Sequence, residues 1–260
     1  MADYRNPAGR FGTTASRTDA DIDQGLRSYM LRVYNYMAIA LALTGVAALG
    51  TFMAATTSDP AAGVGMLREG LYATSFGALI YTSALKWVVM LAPLAMVFFL
   101  SFRINSMSVG AAQLAFWVYS GMVGVSLSTI FLVYTQQSIT QTFFVTAAAF
   151  GALSLYGYTT KRDLSAMGSF LIMGVFGLIL ASVVNLFMQS SALQFAISAI
   201  GVLVFAGLTA FDTQKIKGMY DHVAHDETMM GRTAIMGALS LYLDFLNMFL
   251  FLLQFLGNRE

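Results

Sequence analysis

The feature that most constrains this chain is a series of long apolar segments separated by short polar ones. A helix needs about 20 apolar residues to cross the hydrocarbon core of a bilayer. Within lipid, a spanning segment must satisfy its own backbone hydrogen bonds, so segments of this length are expected to be helical. Seven spans are predicted, at residues 30–55, 84–102, 109–133, 142–158, 164–188, 193–211 and 233–256.

The composition agrees with a chain surrounded by lipid. Of the 260 residues, 58% are hydrophobic and only 10% are charged, whereas soluble domains carry about 25% charged residues. The 14 Lys and Arg residues nearly balance the 13 Asp and Glu residues, so no basic character points to nucleic acid. The expected fold class is an all-α polytopic membrane protein, with the lipid bilayer as its main partner.

The polar segments divide the chain into a tail and a membrane domain. Residues 1–28 are polar and mixed in charge, and the apolar run that follows is too long for a cleavable signal peptide. We predict a flexible cytoplasmic tail at 1–28 and a seven-helix transmembrane domain at 29–260. The two longest links, 56–83 and 212–232, are predicted to be loops.

The basic residues predict the orientation, because cytoplasmic segments of membrane proteins carry an excess of Lys and Arg. With a cytoplasmic N-terminus, only Arg68, Lys86 and Arg259 fall on the opposite side. The C-terminus is then also opposite, as an odd number of spans requires. The cytoplasmic side receives the other eleven: Arg5, Arg10, Arg17, Arg27, Arg32, Arg103, Lys161, Arg162, Lys215, Lys217 and Arg232.

Two acidic residues stand out in the last two apolar segments. Asp212 follows the sixth segment in VFAGLTAFDTQKIK, and Asp244 lies inside the seventh in SLYLDFLN. A carboxylate at bilayer depth costs about 2.5–3.5 kcal/mol on insertion scales, so it indicates a functional site. Counted inward from the outer side at about 1.5 Å per residue, the two depths differ by about 7 Å, which helix tilt can absorb.

If the two acids meet, their chemistry depends on protons. Two carboxylates in a site of low dielectric constant cannot both ionise cheaply, so the pair is expected to share a proton. Fully deprotonated, the pair offers hard oxygen ligands for Ca²⁺. Asp212 and Asp244 are therefore candidate gate, pH-sensor and calcium-ligating residues. In the alternative interpretation, Asp212 lies at the cytoplasmic interface beside Lys215.

Other polar residues are weaker candidates. Arg103 ends the second span on the predicted side of Asp212, where it either pairs with the acids or extends towards lipid phosphates. His222 and His225 lie in the predicted 212–232 loop, where solvation is more common than metal binding. Small and polar residues at helical spacing predict helix interfaces, including a face of the third span formed by Gln113, Trp117, Gly121, Gly124 and Ser128.

Three segments resemble those of a known family: 159–165 (TTKRDLS), 210–217 (AFDTQKIK) and 238–257 (ALSLYLDFLNMFLFLLQFLG). They are similar to the Bax inhibitor-1 family, also called the transmembrane Bax inhibitor motif family. The similarity extends from about residue 29 to residue 259. The overall pattern is closest to bacterial inner-membrane members.

The resemblance implies a seven-helix bundle in which the other six helices surround the last one. It also implies a pH-sensitive Ca²⁺ leak channel gated by two aspartates, which correspond here to Asp212 and Asp244. An arginine near the end of the second helix is linked to the pair in some members, and Arg103 is the nearest counterpart. Some bacterial relatives instead modulate a membrane-bound ATP-dependent protease, a role that needs no ion flux.

Enzymatic activity is not expected. A catalytic zinc site needs about three protein ligands and a water, but both histidines lie in one predicted loop and no span contains any. The chain also has no cysteine to act as a thiol nucleophile. We therefore expect no resident cofactor, with Ca²⁺ as the permeant or bound ion.

Overall fold

The computed structural model describes residues 19–259, and their side chains from Gln24 onward. Within this described part of the chain, seven helices are long and apolar enough to cross a membrane, which confirms the all-α polytopic fold. They are α1 (Asp19–Ala55), α2 (Leu85–Arg103), α3 (Val109–Leu127), α4 (Gln136–Thr159), α5 (Ser165–Met188), α6 (Ser191–Val223) and α7 (Glu227–Leu256).

Several helices extend beyond the apolar segments that predicted them. Helix α1 includes residues 19–28 of the predicted tail, while residues 1–18 lie outside the described part of the chain. The predicted loop at 212–232 is wrong, because α6 continues to Val223 and α7 begins at Glu227. Apolar runs mark only the membrane-embedded part of a helix, and Gln, Lys and Met are good helix formers that extend it.

The prediction of a loop at 56–83 also needs correction. This link contains a small antiparallel sheet of β1 (Thr56–Thr57), β2 (Gly65–Arg68) and β3 (Leu71–Ala73), in the order β1-β3-β2. Gly70 has a φ of 72° in the tight turn between β2 and β3, a conformation that glycine adopts without steric cost. A helical turn at Ser75–Gly77 and a π-helix at Ala78–Thr82 then lead to α2.

Helix α7 is the centre of the bundle, as the resemblance implied. In its most apolar window 67% of the residues are buried, whereas the other six spans range from 11% to 39%. Its packing partners are chiefly α1, α3, α4 and α6. Helices α2 and α5 are the least buried spans, and they pack mainly on α3 and α6. The six helices therefore surround α7 unequally, with α2 and α5 on the periphery.

Close contact between α1 and α3 depends on one glycine. A Cβ atom on Gly124 would lie 2.5 Å from the carbonyl oxygen of Thr44 and 2.7 Å from Ala47 Cβ. Gly121, one turn earlier, has open space at the same position. The predicted face of the third span is therefore wrong in part, because the buried face is rotated towards Ala112, Phe116, Tyr119, Ser120, Val123 and Gly124.

We predict that Gly124→Ala destabilises the protein by about 1–3 kcal/mol, because the added methyl group must push α1 and α3 apart. The matched control is Gly121→Ala on the same helix, which should leave stability unchanged or slightly increased. Heat unfolding in detergent, followed by circular dichroism, measures both variants. Equal unfolding midpoints for the two variants would contradict this account of the contact.

Candidate functional site

The carboxyl groups of Asp212 and Asp244 meet at the contact between α6 and α7. Residues 224–226 join these helices, so the two run antiparallel and share a long interface. The two side chains face each other closely enough that each carboxyl acts on the other. The structure therefore brings together the two acids that the sequence placed at similar depth.

Small residues allow the two helices to approach on either side of the pair. Beyond Asp212, a Cβ atom on Gly237 would lie 3.1 Å from the side chain of Ile216. Towards the other end, a Cβ atom on Gly201 would lie 2.6 Å from the ring of Phe251. Small residues allow membrane helices to approach closely, and these two glycines do so by leaving room for a side chain of the facing helix on either side of the acid pair.

The two acids differ in burial. Asp244 is only 4% exposed, whereas Asp212 is half-buried. Lys215, one turn further along α6, is the cation whose charge acts on Asp212. Asp212 therefore has both a cation, Lys215, and a second carboxyl, Asp244, as charged neighbours.

One oxygen of Asp244 is left without a partner. Four buried side-chain atoms of the described residues have no hydrogen bond, and Asp244 Oδ2 is the only carboxylate oxygen among them. An unsatisfied buried acceptor costs about 1–3 kcal/mol, and more when it is charged. A proton shared by the two carboxyls or a cation would satisfy it. The carboxyl oxygens of the Asp212–Asp244 pair could therefore bind either a shared proton or a cation.

Two clusters of hydroxyl groups connect the helices, and each includes a residue close in sequence to one of the acids. The first joins α1, α4 and α6: the Tyr34 hydroxyl lies 2.5 Å from Ser154 Oγ, which lies 3.0 Å from Thr213 Oγ1. The second joins α1 and α7, where Thr44 Oγ1 lies 2.7 Å from the Tyr242 hydroxyl. The sequence analysis missed both clusters. The available signal was the position of Thr213 directly after Asp212 and of Tyr242 two residues before Asp244.

The polar residues after Asp212 attach the 160–164 link to α6. The Gln214 amide donates to the Arg162 carbonyl at 2.7 Å and accepts from the Leu164 N–H at 2.9 Å. Lys217 Nζ donates to the Tyr158 carbonyl at 2.8 Å. Segments TTKRDLS and AFDTQKIK, which carried the resemblance, are therefore in contact with each other.

Hydrogen bonds from Ser165 also hold the pKa of Asp163 below its usual range.

The structure does not bring Arg103 to the acid pair. Its side chain is exposed at the end of α2, and it is not among the charges that act on either aspartate.

The two histidines lie near the end of α6: His222 in its last turn and His225 in the short link that follows. Within residues 24–259, no three His, Cys, Asp or Glu side chains are grouped to hold a metal ion.

Comparisons with known proteins agree with this architecture. The family model described as "Inhibitor of apoptosis-promoting Bax1" matches residues 26–260. An uncharacterized protein of Rickettsia prowazekii is 49% identical over 95% of this chain and 96% of its own length. The inner membrane protein YbhL of Escherichia coli K12 is 44% identical, over 91% of this chain and 94% of its own. An uncharacterized protein of Caulobacter vibrioides is 45% identical over 95% of each chain.

The family match covers the whole described membrane domain, and the relatives match nearly from end to end. The resemblance predicted from three short segments is thus confirmed. Seven apolar helices and an inner-membrane relative describe a multi-pass inner membrane protein. This chain belongs to the Bax inhibitor-1 family.

Proposed function

We propose that the protein is a pH-sensitive, Ca²⁺-permeable leak channel gated by Asp212 and Asp244. The observation that carries this proposal is the buried carboxyl of Asp244, which has one oxygen without a partner and interacts with a second carboxyl on the neighbouring helix. Packing alone does not require a carboxylate there, and a polar group at bilayer depth is retained for function.

The pair would act as a latch between α6 and α7. With one proton shared, a hydrogen bond joins the carboxyls and holds the helices together. With both groups ionised, two negative charges repel each other in a medium of low dielectric constant. Opening is therefore favoured as the pH rises, and closure as it falls.

The choice of ion rests on the family resemblance and on coordination chemistry. Ca²⁺ prefers six to eight oxygen ligands and accepts carboxylates, carbonyls and water. Two aspartates supply part of such a shell, and water would complete it during passage. Ca²⁺ is thus the transported ion in this proposal rather than a resident cofactor, and the protein has no enzymatic role.

The orientation belongs to the same proposal. Arg27, Arg103, Lys161, Lys215 and Lys217 lie at or near one end of the bundle, because successive spans alternate in direction. A hydrogen bond of 2.7 Å from Arg232 Nη1 to the Asn105 carbonyl links two polar segments at that end. The positive-inside rule favours this end as the cytoplasmic one, so we propose that the N-terminus is inside and the C-terminus on the opposite side.

We predict that Ca²⁺ flux into proteoliposomes is greater at about pH 8 than at about pH 5, because the shared proton closes the latch. The difference should be about five-fold or more, the lower end of typical coupling between two equilibria. Asp244→Asn and Asp212→Asn should each remove the pH dependence. Asp221→Asn, an exposed acid on the same helix, is the matched control and should keep it.

A pH dependence that survives in both pair variants would show that gating lies elsewhere. No flux at any pH would favour the alternative function, modulation of a membrane-bound ATP-dependent protease. In that case the contact sites expected from the sequence are the tail at 1–28 and the polar segment around residues 212–232. Deletion of residues 1–18 would then alter the protease without affecting any leak.

The predicted orientation can be tested directly, because the chain contains no cysteine. Single variants Asp59→Cys and His225→Cys place one thiol in each of two links at opposite ends of the bundle. In intact inner-membrane spheroplasts, a membrane-impermeant maleimide should label the first and not the second. Disruption of the membrane should expose the second thiol. The reverse pattern would overturn the proposed orientation.

A further inference from the structure

A cavity of about 550 Å³ lies between α1 and α4, at the end of the bundle that carries most basic residues. We call it the α1/α4 cavity. Its walls are mainly apolar, with Leu31 from α1 and Phe150 and Leu155 from α4. Its polar side chains are those of Arg27, Tyr34, Ser154 and Tyr158. The cavity is therefore amphipathic.

The cavity exists because Gly151 leaves the surface of α4 open. A Cβ atom on Gly151 would meet nothing within 4 Å. Gly157, on the same helix, lies directly against the backbone of Ala210. The first glycine thus leaves room for an occupant, while the second brings α4 onto α6.

The charge at the cavity mouth selects against cations. Arg27 is exposed there, at the end of the lining that lies nearest the polar start of α1. The Lys217 ammonium group lies next to Tyr158, another residue of the lining, 4.8 Å from the centre of its ring. Two positive charges at one end would repel Ca²⁺ and attract a phosphate group. The cavity is thus poorly suited to conduct cations and well suited to bind an anionic lipid headgroup.

The length of the cavity fits an acyl chain. Arg27 and Tyr34 are seven residues apart on α1, and Tyr158 and Phe150 are eight apart on α4. At about 1.5 Å per residue, the apolar walls extend for about 10–12 Å from the charged end. A soluble anion would leave these walls uncovered, whereas a lipid tail would fill them.

We infer that the α1/α4 cavity binds one anionic phospholipid, with its phosphate at Arg27 and an acyl chain along Leu31 and Gly151. The headgroup lies where basic residues of membrane proteins commonly recruit acidic lipids. The lipid also packs against Tyr34, whose hydroxyl is bonded through Ser154 to Thr213. Thr213 follows Asp212 in α6, so the occupant lies close to the helix segment that carries the acid pair.

The test is lipid titration of the full-length, delipidated protein by native mass spectrometry. Wild type should bind one phosphatidylglycerol about five-fold more tightly than phosphatidylcholine, a difference of about 1 kcal/mol for one basic side chain. Arg27→Gln should abolish this preference. Arg103→Gln, which removes an exposed arginine at the same end of the bundle, should preserve it.

A second pair of variants tests whether the apolar part of the α1/α4 cavity holds the acyl chain. Gly151→Leu fills the cavity and should reduce phosphatidylglycerol binding several-fold, with Leu155→Trp as a second filling variant if the first does not fold. Gly177→Leu is the matched control, since Gly177 also has open space around its Cβ position but lies on α5. Soluble glycerol phosphate should not compete with the lipid.

Three results would overturn the inference. The first is equal binding of phosphatidylglycerol and phosphatidylcholine to wild type, which would indicate ordinary annular lipid. The second is unchanged binding in both cavity-filling variants. The third is competition by glycerol phosphate, which would identify a soluble anion as the ligand.

Discussion

Along the contact between α6 and α7, glycines bring two helices close enough that Asp212 and Asp244 face each other inside the bundle. The position of α7 depends on this contact and on its packing against α1, α3 and α4. Because α7 is largely buried, its carboxylate has little access to water that would stabilise a charge. The nearest available partner is the other acid, so the packing of the central helix determines the chemistry of the pair.

The remaining polar side chains of the spans show why this pair is unusual. The hydroxyls of Thr44, Ser120, Thr146, Thr209 and Thr213 each donate to a carbonyl four residues earlier in their own helix. Such bonds satisfy a hydroxyl at little cost in a nonpolar environment. An ionised carboxylate has no proton to donate, so the same solution is not available to Asp244. A proton or a cation from elsewhere must therefore compensate the buried charge of Asp244.

The bundle also has two kinds of surface. The outer surface of the bundle carries large, exposed apolar side chains, among them Phe102 on α2 and Phe170 and Phe187 on α5. The α1/α4 cavity differs because it combines apolar walls with a charged mouth. Ordinary lipid contact explains the first surface, whereas the second has the chemistry of a selective lipid site. The short hydroxyl chain from Tyr34 to Thr213 places that site near the acid pair.

The number of spans, the helical class and the two acids in the last two apolar segments were predictable from the sequence alone. These follow from local physics, because a segment in lipid must bond its own backbone and a buried carboxylate is costly wherever it lies. The resemblance of three motifs was likewise readable without coordinates. The ends of the helices could not be predicted in this way, since polar residues extend α6 and α7 beyond the apolar runs that mark a span.

Only the tertiary structure decided which side chains meet. Arg103 was predicted on the same side of the membrane as Asp212, yet the peripheral position of α2 leaves that arginine exposed. Gly121 and Gly124 are equivalent in sequence, and only the rotation of α3 makes the second one essential to packing. Contacts between helices depend on rotation and tilt, which arise from the packing of the whole bundle rather than from any single segment.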